Sequence, residues 1–141
     1  MICRQCSHLT VPGASSGIGR AIAFQLVSDG IHSIALLDVS PNLAAEEAAL
    51  KAAYPRVQTL AISVDVSKDT DVNLAVAKTV ETFGRIDVAV HAAGVAGVNA
   101  ATEETTTAQL DHVLNVNMKG VWYCERAVLK QMMKQELRNA T

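Results

Sequence analysis

The chain has 141 residues, a length that suits one domain or part of one and leaves little room for two. Half of the residues are hydrophobic and only 4% are aromatic, a composition that builds an aliphatic core and excludes disorder over the whole length. Twelve basic against fourteen acidic side chains, without a block of like charge, give a formal charge of −2 and no electrostatic footprint for nucleic acid.

Met1 to Gln5 carries one Arg and no following apolar run of signal-peptide type, so a cytoplasmic protein is expected. Cys3 and Cys6 are the only close cysteine pair. No second pair of ligands accompanies them and a strand pattern follows, so neither a metal site nor a redox motif is expected, and both read as reduced thiols in a frayed end. The longest apolar stretch, Ile86 to Val98, is interrupted by Asp87 and His91 and falls short of the ~18 residues that a membrane span needs.

Leu9 to Val11 reads as a short strand ending in Pro12-Gly13, and Ile18, Ala21, Ile22, Gln25 and Leu26 follow at helical spacing until Gly30. Ile34 to Val39 is a second strand, after which Ser40-Pro41 supplies an N-cap and a first-turn proline for an Ala-rich helix ending near Tyr54-Pro55. Val57 to Val66 contains a third strand. Ser67 then caps a helix with Val72, Ala75, Val76, Val80 and Phe83 on one face, Asp69 and Asp71 in the first turn and Gly84 as its stop. Ile86 to Ala92 is a fourth strand, continuous enough in apolar character to be buried on both faces. Gly94 to Thr107 is a looser segment. A short helix near Ala108 to Leu114 precedes a last one over Val116 to Leu137, in which Cys124 is a core residue.

Alternating strands and helices with buried strands predict a parallel sheet with right-handed crossovers. Together with the glycine turn this is a Rossmann-type doubly wound α/β fold, four strands in order 3-2-1-4, with residues 1–141 as a single incomplete domain.

Two features carry chemistry. Gly13-Ala14-Ser15-Ser16-Gly17-Ile18-Gly19 joins the first strand to the first helix, where glycines allow a tight turn and close approach of a pyrophosphate to the helix N-terminus. Asp38 closes the second strand, where an acid accepts hydrogen bonds from a ribose diol and repels a 2′-phosphate. No Lys or Arg stands at Ser15, Ser16, Val39 or Ser40 to neutralise such a phosphate, which favours NAD over NADP.

On these residues the sequence resembles the N-terminal part of the short-chain dehydrogenase/reductase family, from about Leu9 onward. The family's Thr-Gly-x-x-x-Gly-x-Gly turn is matched from Gly13 to Gly19, with Pro12 in place of Thr. Its Asp-Val after the third strand, which the resemblance places along the adenine, is Asp65-Val66, and its Asn-Asn-Ala-Gly after the fourth is His91-Ala92-Ala93-Gly94. The family's catalytic Asn corresponds to Asn117, with Gly120 behind it. His91 is read as filling an Asn position and bonding locally.

The resemblance implies hydride transfer between an alcohol or carbonyl substrate and NAD(P), with a Tyr-x-x-x-Lys and a Ser as proton relay. Tyr54 is followed four residues later by Gln58 and Tyr123 by Ala127, so these 141 residues contain no Tyr-x-x-x-Lys. Three readings stay open: a fragment of an NAD-dependent dehydrogenase, a non-catalytic dinucleotide-binding module or interaction protein, and one half of an assembly completed by a second chain. A homo-oligomer formed partly through the long helix with Val121, Val128 and Met132 is also expected from the resemblance.

Overall fold

The computed structural model describes residues 8–136, so Cys3 and Cys6 lie outside the described residues. Strands β1 (His8–Pro12), β2 (Ser33–Asp38), β3 (Gln58–Ser63) and β4 (Val88–Ala89) form one sheet in the order β3-β2-β1-β4. Every pairing is parallel, with Leu9 level with Ile34 and Ile34 level with Thr59. Helices α1 (Gly17–Ser28), α2 (Leu43–Ala53) and α3 (Asp69–Phe83) alternate with the strands, and α4 (Thr107–Leu114) and α5 (Val121–Met132) follow. The order 3-2-1-4 is the one expected from the alternation of elements.

Alternation along the buried central strand β2 divides the core. Ile34 and Leu36 point to one face, where Leu9 and Val11 join them against Ala23 and Val27 of α1 and Leu43 and Leu50 of α2. Ala35 and Leu37 point to the other, against Val72, Ala75 and Val76 of α3 and Cys124, Ala127 and Val128 of α5. Each fully buried aliphatic side chain of this kind contributes roughly 1.5–3 kcal/mol from its removal from water.

Several local expectations are corrected. Helix α2 begins at Leu43, with Asn42 and not Ser40 at its cap position. Ser40 closes a turn, its hydroxyl accepting from the Asn42 amide at 3.2 Å and its carbonyl from the Leu43 amide at 3.2 Å. Helix α3 is preceded by Lys68, because the Ser67 hydroxyl donates to Asp65 at 2.7 Å and does not turn toward the helix. The acids of its first turn and the left-handed Gly84 at its end are as expected.

The fourth strand is shorter and less covered than its apolar character suggests. Only Val88–Ala89 pairs as strand, although Val90 and Ala92 still donate to the Thr10 and Pro12 carbonyls at 3.0 and 2.9 Å. Ile86 is buried while Val88 to His91 are half-buried, because among the described residues no strand lies on their outer side. The Gln135 side chain grips the start of this segment, accepting from the Ile86 amide at 2.9 Å and donating to its carbonyl at 2.8 Å.

The expected break between the last two helices is absent. Leu114 and Asn115 keep right-handed helical dihedrals, and a π-helical turn over Asn115–Gly120 joins α4 to α5. The start of α4 is marked by a capping box, in which Thr106 accepts from the Gln109 amide and the Gln109 side chain accepts from the Thr106 amide.

Candidate functional site

The carboxyl ends of the parallel strands meet at a cleft of about 550 Å³. Its floor is the glycine turn. The Gly13 and Ala14 amides both donate to the Leu37 carbonyl, at 2.8 and 3.2 Å, which fastens the turn to β2. A Cβ on Gly13 would lie 2.5 Å from the Ala93 nitrogen and 2.6 Å from the Ala92 carbonyl carbon, so the turn lies directly against the chain leaving β4. Gly19 packs against Gly13 in the same way. Gly13 and Gly17 have φ of +86° and +49°, conformations that side-chain-bearing residues rarely adopt.

The N-terminus of α1 opens into this cleft through Ser16, Gly17 and Ile18. Its cap residue Ser16 makes no side-chain cap bond and no acid stands in the first turn. Free helix amides, the positive end of the helix dipole and a first turn without an acid suit an anion such as a pyrophosphate.

Asp38 and Asp65 border the cleft. The Asp38 carboxylate accepts from the Ser15 amide at 2.9 Å with one oxygen and from the Ser40 amide at 3.0 Å with the other. It therefore braces the glycine turn as well as facing the cleft. Asp65 accepts from the Ser67 amide and hydroxyl at 3.0 and 2.7 Å. The Ser67 hydroxyl, helped by the Ser67 amide and Lys68, holds its carboxyl below the usual carboxylate range despite partial burial.

Ala92, Ala93 and Gly94 form another wall, and Val66 is a further lining residue. Ser15 and Gly19 support the turn from behind and do not border the cleft. The Ser15 side chain is buried, and its hydroxyl has no hydrogen-bond partner. Asn117 is also set back. From the π-helical turn it accepts from the Val95 amide at 2.8 Å and donates to the Val95 carbonyl at 2.9 Å, fixing the segment after Gly94. Its neighbour Gly120 lets the helix approach β3's continuation, since a Cβ there would meet the Val66 side chain at 2.9 Å and its carbonyl oxygen at 3.1 Å.

His91 is not part of the cleft wall. Its Nδ1 is buried without a hydrogen-bond partner, where a local bond was expected. Burial pushes its pKa below the usual imidazole value, with Glu125 acting in the opposite sense.

Five further residues border the cleft: Val39, Val64, Val95, His112 and Val116. Val39 and Val64 adjoin the two acids in sequence. His112 and Val116 stand four apart on one helix, a spacing that places them on one face once the helix is known to be continuous. Among the described residues no cluster of three or more potential metal ligands exists, and no helix is long and apolar enough to cross a membrane.

Comparison with known proteins is consistent across sequence and structure. Residues 7–137 match the family described as short chain dehydrogenase. Levodione reductase of Leifsonia aquatica is 38% identical over 126 residues, a match covering 89% of this chain and 47% of that protein. The levodione reductase crystal structure superposes with a TM-score of 0.87 at 37% identity, over 92% of this chain and 50% of that one. A variant of actinorhodin polyketide ketoreductase with NADPH gives a TM-score of 0.85 at 29% identity, over 95% and 51%. The chain thus spans about half the length of the curated relatives it matches.

Proposed function

Since this chain belongs to the short-chain dehydrogenase family, we propose that it serves as the dinucleotide-binding portion of an NAD(P)-dependent oxidoreductase acting on a small alcohol or carbonyl substrate. The observation that carries this is the convergence of the glycine turn, Asp38, Asp65-Val66 and Ala92 to Gly94 on one cleft at the carboxyl end of a parallel sheet. NAD(P), when bound, gives or takes the hydride.

The chain's own residues bind and orient. The amides of Ser16, Gly17 and Ile18 hold the pyrophosphate, and Asp38 accepts from the ribose hydroxyls. Asp65 and Val66 run along the adenine, while Ala92 to Gly94 form the wall beneath. Asn117 keeps that wall in place through Val95, the role in which it contributes to the site.

Asp38 also supports NAD over NADP, because its carboxylate faces the place of a 2′-phosphate with no Lys or Arg at Ser15, Ser16, Val39 or Ser40. Of the residues expected at a helix-mediated interface, Val128 is buried in the core and Met132 packs against it, so the support for association with a second copy is the exposed Trp122 and Leu129 of α5 and Met133 just beyond it.

The test is calorimetric titration with NAD and NADP of the wild type and Asp38→Ala. The variant is expected to lose NAD affinity and to lose less for NADP, since it removes a diol acceptor for one and a repulsive charge for the other. Equal losses for both cofactors overturn the role of Asp38, and absence of binding by the wild type overturns the functional reading.

A further inference from the structure

Aromatic rings are scarce in this protein, and their positions in the fold leave one at the cleft. Phe24 and Tyr54 pair at 6.5 Å between α1 and α2, Trp122 and Tyr123 pair at 5.5 Å on α5, and Phe83 lies 6.1 Å from His8. None of these borders the cleft. His112 does, from the last turn of α4 and one helical turn before Val116, in a lining that also includes Val39, Asp65 and Val66. Its side is open to solvent, and it also borders a smaller apolar recess of about 280 Å³ beside Val98 and Val113.

A purine base carries hydrogen-bonding atoms at its edges and apolar π surface on its faces, where aliphatic side chains pack and an aromatic ring gains most. Val39, Val66 and Val116 supply the aliphatic contacts, and among the described residues that border the cleft only His112 supplies a ring. We propose that His112 is the stacking partner of the adenine base, a positioning residue for the cofactor; this rests on the dinucleotide reading above. The imidazole faces the base while Val66 and Val116 enclose it, so the adenine is held from the helix side as well as from the strand side.

Stacking of a base on an exposed aromatic ring corresponds to about a tenfold change in affinity, the lower part of the range seen on truncation to Ala. The experiment titrates the 141-residue chain with NAD, AMP and nicotinamide mononucleotide, in the wild type, His112→Ala and His112→Phe. The expected result is a loss of about tenfold for NAD and AMP in His112→Ala, no change for nicotinamide mononucleotide, and recovery in His112→Phe. Unchanged NAD and AMP affinity in His112→Ala overturns the proposal, as does a loss that Phe fails to restore. Sensitivity to Asp38→Ala with indifference to His112→Ala removes His112 alone and leaves the dinucleotide site standing. Failure of the wild type to bind any of the three ligands overturns both.

Discussion

Replacing Gly19 by Ala sets two physical effects against each other, and the structure decides the sign. Gly19 lies in the first turn of α1 with ordinary helical dihedrals, so propensity alone makes Ala more favourable by at most ~1 kcal/mol. The added methyl, however, overlaps the Gly13 carbonyl oxygen and stands 2.8 Å from its carbon and 3.1 Å from the Ala92 Cβ. The obstacles are mainly backbone, held in turn by the bonds of Gly13 and Ala14 to Leu37, so they cannot step aside as a flexible side chain would. Overpacking of this kind costs about 3 kcal/mol at the upper end of its usual range, which leaves a net loss of about 2 kcal/mol. For a domain of this size that is a fall in Tm of roughly 8 °C. Thermal and urea denaturation of Gly19→Ala measure it. Gly17→Ala is the control: it meets no atom within 4 Å and carries only the cost of a left-handed conformation, about 1–2 kcal/mol. A Gly19→Ala protein as stable as the wild type would refute the close approach of Gly19 to Gly13.

Three other outcomes follow from features of the structure. His91 binds a proton less readily when folded than when unfolded, so its contribution is present above about pH 6.5 and is lost as pH falls through its lowered folded value. Melting temperatures from pH 7 to 5 are expected to fall more steeply for the wild type than for His91→Asn, and parallel curves would count against a buried neutral imidazole. The outer edge of β4 carries no partner among the described residues, so sedimentation of the isolated 141-residue chain is expected to show association that grows with concentration; a monomer at all concentrations argues otherwise. Finally, the same chain has no Tyr-x-x-x-Lys to relay a proton, a contribution worth ~100- to 10,000-fold, and is expected to show no turnover of NADH with a panel of alcohols and ketones. Robust turnover that is lost in Asn117→Ala would overturn that expectation.

The sheet order and the cleft were legible because each rests on strong local signals. Gly13, Gly17 and Gly19 stand at a strand-to-helix junction, and Asp38 ends a fully apolar strand, so one motif and one acid position both halves of the site. What escaped the sequence depends on competition between neighbours. Ser40 and Ser67 are good N-caps by type, yet one hydroxyl closes a turn on Asn42 and the other is taken by Asp65. The sequence reading ends one helix at Leu114 and begins the next at Val116, whereas the backbone passes through Asn115 as part of a π-helical turn and remains helical. That continuity hid His112 and Val116, whose common face exists only if α4 runs into the turn.

The segment from Ile86 to Val95 is held at both ends by side-chain amides, Gln135 at the first residue and Asn117 at the last. Each amide gives one hydrogen bond and receives one from a single residue's backbone, a two-way grip for which the side-by-side donor and acceptor of a planar side-chain amide are shaped. Their durability is therefore chemical as well as conformational. Deamidation at Asn117 would keep the oxygen that receives the Val95 amide but replace the donor with a second oxygen facing a carbonyl, and the same holds for Gln135 and Ile86. The wall of the cleft formed by Ala92 to Gly94 lies between the two grips, so slow hydrolysis of one side-chain nitrogen that does not itself border the cleft would be felt as a loosening of the site.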